Sequence, residues 1–146
     1  MFKKILVAVD GSSHSKRAID AAIDLTKRYQ ASVLLLHVIR DFSLPKELLE
    51  MISAGEVTAS RREILENSAE IILGDAREKF QEADLSDISS DFLMGDPAAT
   101  IDDYAEQNGV DLIVIGYRGL GTHGKMLGSM ARKLTNLTAV SCLIVR

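Results

Sequence analysis

The residues best suited to chemistry lie in one stretch, Gly116-Tyr-Arg-Gly-Leu-Gly-Thr-His-Gly-Lys-Met-Leu-Gly-Ser129, in which five of fourteen positions are glycine. Glycine adopts positive φ freely and lets a ligand approach bare backbone. The stretch follows an apolar run at residues 111–116 and precedes residues 130–136, which read as a helix. A glycine-rich turn between a strand and a helix gathers several N–H groups at one point. The helix N-terminus adds a positive partial charge there. The chemistry this suits is the binding of phosphate. Without a ligand, the same stretch reads as a long connecting loop; the strand–loop–helix context favours an anion site.

Two familiar motifs almost fit and both fail. Gly119-Leu-Gly-Thr-His-Gly124 spells the dinucleotide fingerprint, but that motif needs a helix at once and an acidic residue about 20 positions later. No acidic residue follows Gly124. Gly119 to Lys125 spells most of a phosphate-binding P-loop, but Met126 stands where Ser or Thr must hold magnesium. A thioether is a poor magnesium ligand.

Composition narrows the classes. A chain of 146 residues is expected to form one domain with a real core. The 47% hydrophobic content argues against disorder. A net charge of −4 gives no electrostatic case for binding nucleic acid. The single cysteine forms no internal disulfide and suggests a reducing compartment. The apolar run after Lys3 and Lys4 is too short for a secretion signal, and no run approaches the length of a membrane span. Together these predict a cytoplasmic protein that is not inserted in a membrane.

The elements that position the loop follow from periodicity. Residues 5–9 are continuously apolar, as expected of a strand covered on both faces. Asp10-Gly-Ser-Ser13 breaks the run, and Ala18, Ile19, Ala22, Ile23 and Leu25 recur at helical spacing. The helix is predicted over residues 14–29, with Ser12 or Ser13 as N-cap. Residues 33–39 form a second buried strand.

Residues 40–60 are irregular and predicted to be mobile, with Leu44, Leu48, Leu49 and Ile52 able to form a short amphipathic turn. A long helix is predicted over residues 58–83, with Arg61 neighbouring Leu65 or Glu66, and Asp75 neighbouring Lys79. Gly74 within it costs about 1 kcal/mol relative to alanine and suggests a close helix contact. Residues 85–94 read as a shorter strand at an edge. Gly95-Asp-Pro97 turns the chain into a helix over residues 98–108, and Gly109 suits its C′ position. A strand at 112–115, the glycine loop, a helix at about 127–136 and a strand at 140–145 complete the chain.

This alternation predicts an open five-stranded parallel sheet with helices on both faces, Rossmann-like, in the order 3-2-1-4-5. Ligands bind such sheets at the carboxyl ends of the strands, where the winding reverses. Here those ends carry Asp10-Gly11-Ser12 and the stretch from Gly116 onward.

The carrying segments are Lys4-Ile-Leu-Val-Ala-Val-Asp-Gly-Ser12, Leu36-His-Val-Ile39, Gly95-Asp-Pro97, Val110-Asp-Leu-Ile-Val-Ile-Gly116 and the loop to Gly128-Ser129. On these the chain resembles the universal stress protein family over essentially its whole length. The resemblance implies a small, dimeric α/β domain whose nucleotide-binding members hold ATP. Those members carry Gly-x2-Gly-x9-Gly-[Ser/Thr]. Gly116, Gly119, Gly128 and Ser129 match in type, with eight residues in the second gap and Gly121 and Gly124 available to absorb the shortening.

The implied site is Asp10, Gly11, Ser12, Val38, Gly116, Arg118, Gly119, Gly128, Ser129 and Met130. Asp10 suits ribose hydroxyls or the amides of its own turn, and the two roles are compatible. By resemblance the backbone of Val38 reads the adenine edge, while Gly116, Gly119, Gly128 and Ser129 serve ribose and phosphates. Ser129 also suits a helix cap. Arg118, His123 and Lys125 suit phosphate or solvent. His37 reads as a satisfied core histidine, His14 carries little, and Cys142 reads as a small buried hydrophobe.

No zinc spacing or nucleophile elbow is present. The sequence is therefore read as a regulatory stress-response module holding ATP with magnesium, or AMP or ADP, with at most slow hydrolysis. The alternatives are a slow ATPase or phosphate-transfer enzyme, and a nucleotide-free dimeric interaction module. The strand at 140–145 is β-branched, apolar and free of proline, which predicts a homodimer through it. A downstream protein partner is expected but not nameable.

Overall fold

Alternate residues of the central strands enter opposite cores, which is why those strands read as unbroken apolar runs. The computed structural model describes residues 1–40, 58–120 and 125–146. The elements are β1 (Lys4–Ala8), α1 (Ser13–Tyr29), β2 (Ser32–Arg40), α2 (Thr58–Glu82), β3 (Ile88–Gly95), α3 (Pro97–Gln107), β4 (Leu112–Gly116), α4 (Ser129–Leu137) and β5 (Ser141–Val145). The five strands make one parallel sheet in the order β3-β2-β1-β4-β5. This is the Rossmann-like order expected from the alternation of elements.

On one face, Ile5, Val7, Val33, Leu35 and Val114 pack against Ala18, Ile19 and Ala22 of α1 and Leu73, Ala76 and Phe80 of α2. On the other, Leu6, Leu36, Ile113 and Ile115 pack against Ala98, Ile101 and Ala105 of α3 and Ala131 and Leu134 of α4. The period of two along each strand sends neighbours to opposite faces. Burying an aliphatic side chain contributes about 1.5–3 kcal/mol, so the six fully buried residues of the central pair, Ile5 to Val7 and Ile113 to Ile115, anchor the sheet. The inner strands therefore hold the carboxyl ends of β1 and β4 rigidly side by side.

Local chemistry sets the ends of the helices. Ser12 caps α1, its side chain accepting from the Ser15 amide at 3.1 Å. Asp96 caps α3, with Pro97 opening the helix, and Gly109 follows it at φ 65°, the left-handed conformation glycine adopts at low cost.

Three expectations change. β3 lies at an edge but is not short: its eight residues pair along β2, against five each in β1, β4 and β5. Gly74 makes no close contact, since a Cβ there would meet nothing within 4 Å. Ser129 is not a cap; Gly128 holds the N-cap position of α4 without a side-chain bond, and Ser129 is the first helical residue. Among the described residues of α2, Arg62 pairs with Glu66 at 2.8 Å. The expected mobile segment and amphipathic turn fall largely on residues 41–57, outside the described residues, as do the Arg61 side chain, Gly121, His123 and Gly124.

Candidate functional site

The site is built on the end of β1. The Asp10 carboxylate accepts from the Ser12 amide at 2.9 Å through Oδ1 and from the Leu120 amide at 3.3 Å through Oδ2. Its own amide donates to Ser15 Oγ at 3.1 Å. Ser12 Oγ in turn donates to the Arg118 carbonyl at 3.4 Å. The turn after β1 is thus fastened to the start of the glycine loop after β4. A carboxylate oxygen has more than one lone pair, so Asp10 has the chemistry to accept hydroxyl donors beside these amides. Gly11 stands at φ 81°, so its requirement is the turn itself.

The described glycines of the loop, Gly116, Gly119 and Gly128, answer to close approaches within the chain. A Cβ at Gly116 would stand 2.8 Å from the His14 carbonyl carbon, where β4 meets the first turn of α1. A Cβ at Gly119 would stand 2.6 Å from Asp10 Oδ2. At Gly128 it would stand 3.2 Å from both the Arg118 Cα and the Tyr117 carbonyl oxygen. Bare backbone therefore lets three segments converge on one point.

Val38 joins the same point through sheet geometry. Ser32 N donates to Lys3 O and Val9 N to Leu36 O, so even-numbered residues of β2 turn their backbone groups toward β1. Val33 N donates to Asp87 O, so odd-numbered residues turn toward β3. Pairing with β1 stops at Ala8↔Leu36. The N–H and C=O of Val38 therefore face the space beyond the end of β1.

That space is a cavity of about 600 Å³, within the ordinary range of ligand pockets. Its walls include Asp10, Ser12, Val38, Gly116, Arg118, Gly119, Gly128, Ser129 and Met130, so nine of the ten expected residues come together. Gly11 does not line it. Leu65, Ser68 and Ile72 of α2, Pro97 and Ile101 of α3, and Arg40 at the end of β2 also line it. Periodicity assigns Leu65 and Ile72 to the buried face of a helix. It does not tell that this face runs past the end of the sheet and becomes a wall.

The cavity favours anions. The first turns of α1, α3 and α4 reach its wall at Ser12, Pro97 and Ser129, each contributing partial positive charge. Among the described residues lining it, Asp10 is the one carboxylate against the guanidinium groups of Arg40 and Arg118. His37 donates through Nδ1 to the Val9 carbonyl at 2.7 Å, which satisfies the ring at the cavity edge. His14 lies against the Tyr117 ring, 6.3 Å between centroids.

Near the cavity, Lys133 Nζ sits 3.0 Å from Asp96 Oδ2, and with the Ala99 amide it holds the Asp96 carboxyl below its ordinary value. Burial, with a contribution from Asp102, pushes the half-buried Cys142 thiol up, as suits an inert packing residue. Among the described residues no cluster of His, Cys, Asp and Glu could hold a metal ion, and no helix is long and apolar enough to cross a membrane.

Comparison with known proteins agrees with the geometry. The model of the universal stress protein family matches residues 1–146. Universal stress protein YxiE of Bacillus subtilis is 37% identical, over 100% of both chains. Universal stress protein UspA from Lactobacillus plantarum superposes with a TM-score of 0.80 at 26% identity, over 99% of this chain and 98% of that one. A universal stress protein in complex with cAMP superposes with a TM-score of 0.69 at 24% identity, over 99% of this chain and 97% of that one. A universal stress protein family protein from Arabidopsis thaliana with AMP bound does so at 0.68 and 20%, over 98% and 90%. A family match at every position, joined to a relative 37% identical from end to end, makes this chain a member of the universal stress protein family.

Proposed function

We propose that the protein is a single nucleotide-binding domain that holds ATP and serves as a regulatory stress-response module in the cytoplasm. One observation carries the reading: the outward backbone of Val38, the Asp10 carboxylate and the glycine loop share one cavity at the ends of β1 and β4. A backbone N–H beside a C=O is complementary to the adenine edge, which offers a ring-nitrogen acceptor and an amino donor. Asp10 would accept ribose hydroxyls. Gly116, Gly119, Gly128 and Ser129, with Arg118, would receive the phosphates. Ser12 and Met130 complete the walls, and Gly11 shapes the turn. Structures of family members carrying cAMP and AMP support an adenine nucleotide as the ligand class. Magnesium would arrive on the phosphates, since it commonly keeps its waters and binds substrate oxygens. We assign no general base in the cavity and read it as a binding site with at most slow hydrolysis.

The protein also pairs with a second copy through β5. Tyr117 N donates to Val145 O, so odd-numbered residues of β5 face β4 and the backbone of Cys142 and Ile144 faces the open edge. That edge carries neither charge nor proline, whereas the opposite edge, β3, carries exposed Asp91. Charged side chains blunt an edge and their lack invites pairing.

Melting with and without Mg-ATP tests the main reading. A ligand at about 100 times its dissociation constant stabilises the native state by about 2.7 kcal/mol. An upward shift is expected. Coincident melting curves at millimolar nucleotide reject the nucleotide reading and leave the dimeric interaction module.

A further inference from the structure

We propose that Tyr117 is a positioning residue for the phosphate-binding half of the site, an inference that rests on the nucleotide reading above. Tyr117 does not line the cavity, yet every polar group it carries ties the glycine loop down. Its carbonyl accepts from the Gly128 amide at 2.9 Å, and its phenol donates to the Lys125 carbonyl at 3.0 Å. Its amide donates to the Val145 carbonyl at 2.7 Å, fixing Tyr117 itself to the end of β5. Its ring lies beneath two guanidinium groups, that of Arg146 at 4.5 Å and that of Arg118 at 5.3 Å from the centroid. Arg118 Nε donates to the Met126 carbonyl. Residues 125, 126 and 128, on the returning limb of the loop, therefore hang from residues 117 and 118 on the outgoing limb.

The physical need for such a tether is entropic. A loop rich in glycine loses more freedom on ordering than any other. A loop already held in its bound shape spares the ligand that cost. The phenol meets the loop at Lys125, shortly before Ser129, the first residue of α4. Val38, at the proposed adenine end, lies on β2, which β1 separates from the β4 strand that Tyr117 follows. Removing the hydroxyl should therefore weaken the grip on phosphate and leave the grip on the nucleoside unchanged.

Tyr117→Phe keeps the ring between the guanidinium groups and deletes only the phenol bond. Titration calorimetry of both proteins with ATP, with displacement by adenosine, reads the two halves of the site separately. ATP affinity is expected to fall about 3- to 10-fold, the worth of one hydrogen bond. Adenosine affinity is expected to hold, and the melting temperature of the free variant to stay within about 4 °C of wild type. Hydrogen exchange at the Gly128 amide in the free protein gives a second reading and should quicken in the variant. A parallel loss for ATP and adenosine marks a merely structural role and overturns the inference. Unchanged ATP affinity, or unchanged protection at Gly128, overturns it as well. A wild-type protein that binds ATP separates these outcomes from failure of the nucleotide reading; one that does not removes both.

Discussion

Asp10 accepts a hydrogen bond from the Leu120 amide at 3.3 Å across 110 positions of chain. The contact fits because residue 119 has no side chain: a Cβ there would stand 2.6 Å from the same carboxylate oxygen. Gly119→Val should therefore push the loop off Asp10 and break a bond to a charged acceptor, which is worth about 1.5–3 kcal/mol. The expected outcome is a loss of about tenfold or more in ATP affinity, with circular dichroism unchanged because the sheet is untouched. Full affinity in the variant refutes the assignment of this loop to phosphate.

Two other glycines should respond in opposite directions. Gly116→Ala places a methyl group 2.8 Å from the His14 backbone, and overpacking of this kind costs about 1–3 kcal/mol. Gly74→Ala adds a methyl group to open space in the middle of α2 and should stabilise the helix by about 0.5–1 kcal/mol. Urea unfolding of the two variants beside wild type checks the pair. Midpoints that move the same way contradict the steric account.

The Lys133–Asp96 bridge carries a definite pH dependence. The bond from Lys133 and the Ala99 amide lower the Asp96 carboxyl below 3.8 in the folded protein. A carboxyl lowered on folding adds stability above its unfolded value and loses it as pH falls through the folded one. Lys133→Met should melt slightly below wild type at neutral pH, and the gap should close in acid, below 3.8. The effect is small because the pair is exposed and screened. A gap that stays constant across the titration assigns the loss to packing instead.

The open edge of β5 gives an assembly prediction. Light scattering should return twice the chain mass of 15.9 kDa. Ile144→Pro removes a donor that faces outward, so it should weaken the dimer while sparing the rungs between β4 and β5. Wild-type protein that remains monomeric at micromolar concentration defeats the prediction.

Much of the fold is legible because its signals are local. Residues 5–9 and 112–115 read as strands from composition alone, and Pro97 and Gly109 bracket α3 through their own φ preferences. Strand order follows from connection rules, and order places Asp10 beside the glycine loop. What stays hidden is decided by distant partners. The demand for glycine at position 116 comes from His14, and that at 119 from Asp10, neither of them adjacent in sequence. The length of β3 is set by the nine residues of β2. Arg40 reads as the start of the irregular stretch 40–60, but it ends β2 and lines the cavity.

The first strand of this sequence is the middle strand of the finished sheet. β1 pairs with β2 on one side, but its other neighbour, β4, begins only at Leu112. Until then one edge of an apolar strand has no partner, and the cavity lacks the wall that β4 and its loop provide. Contacts this far apart in sequence slow folding, because loop closure precedes any return from the contact. Nucleotide cannot template the amino-terminal half of the chain. Under the proposed function, capture of nucleotide requires β4 and its loop beside β1, so a nucleotide-binding assay should report that this pair has closed.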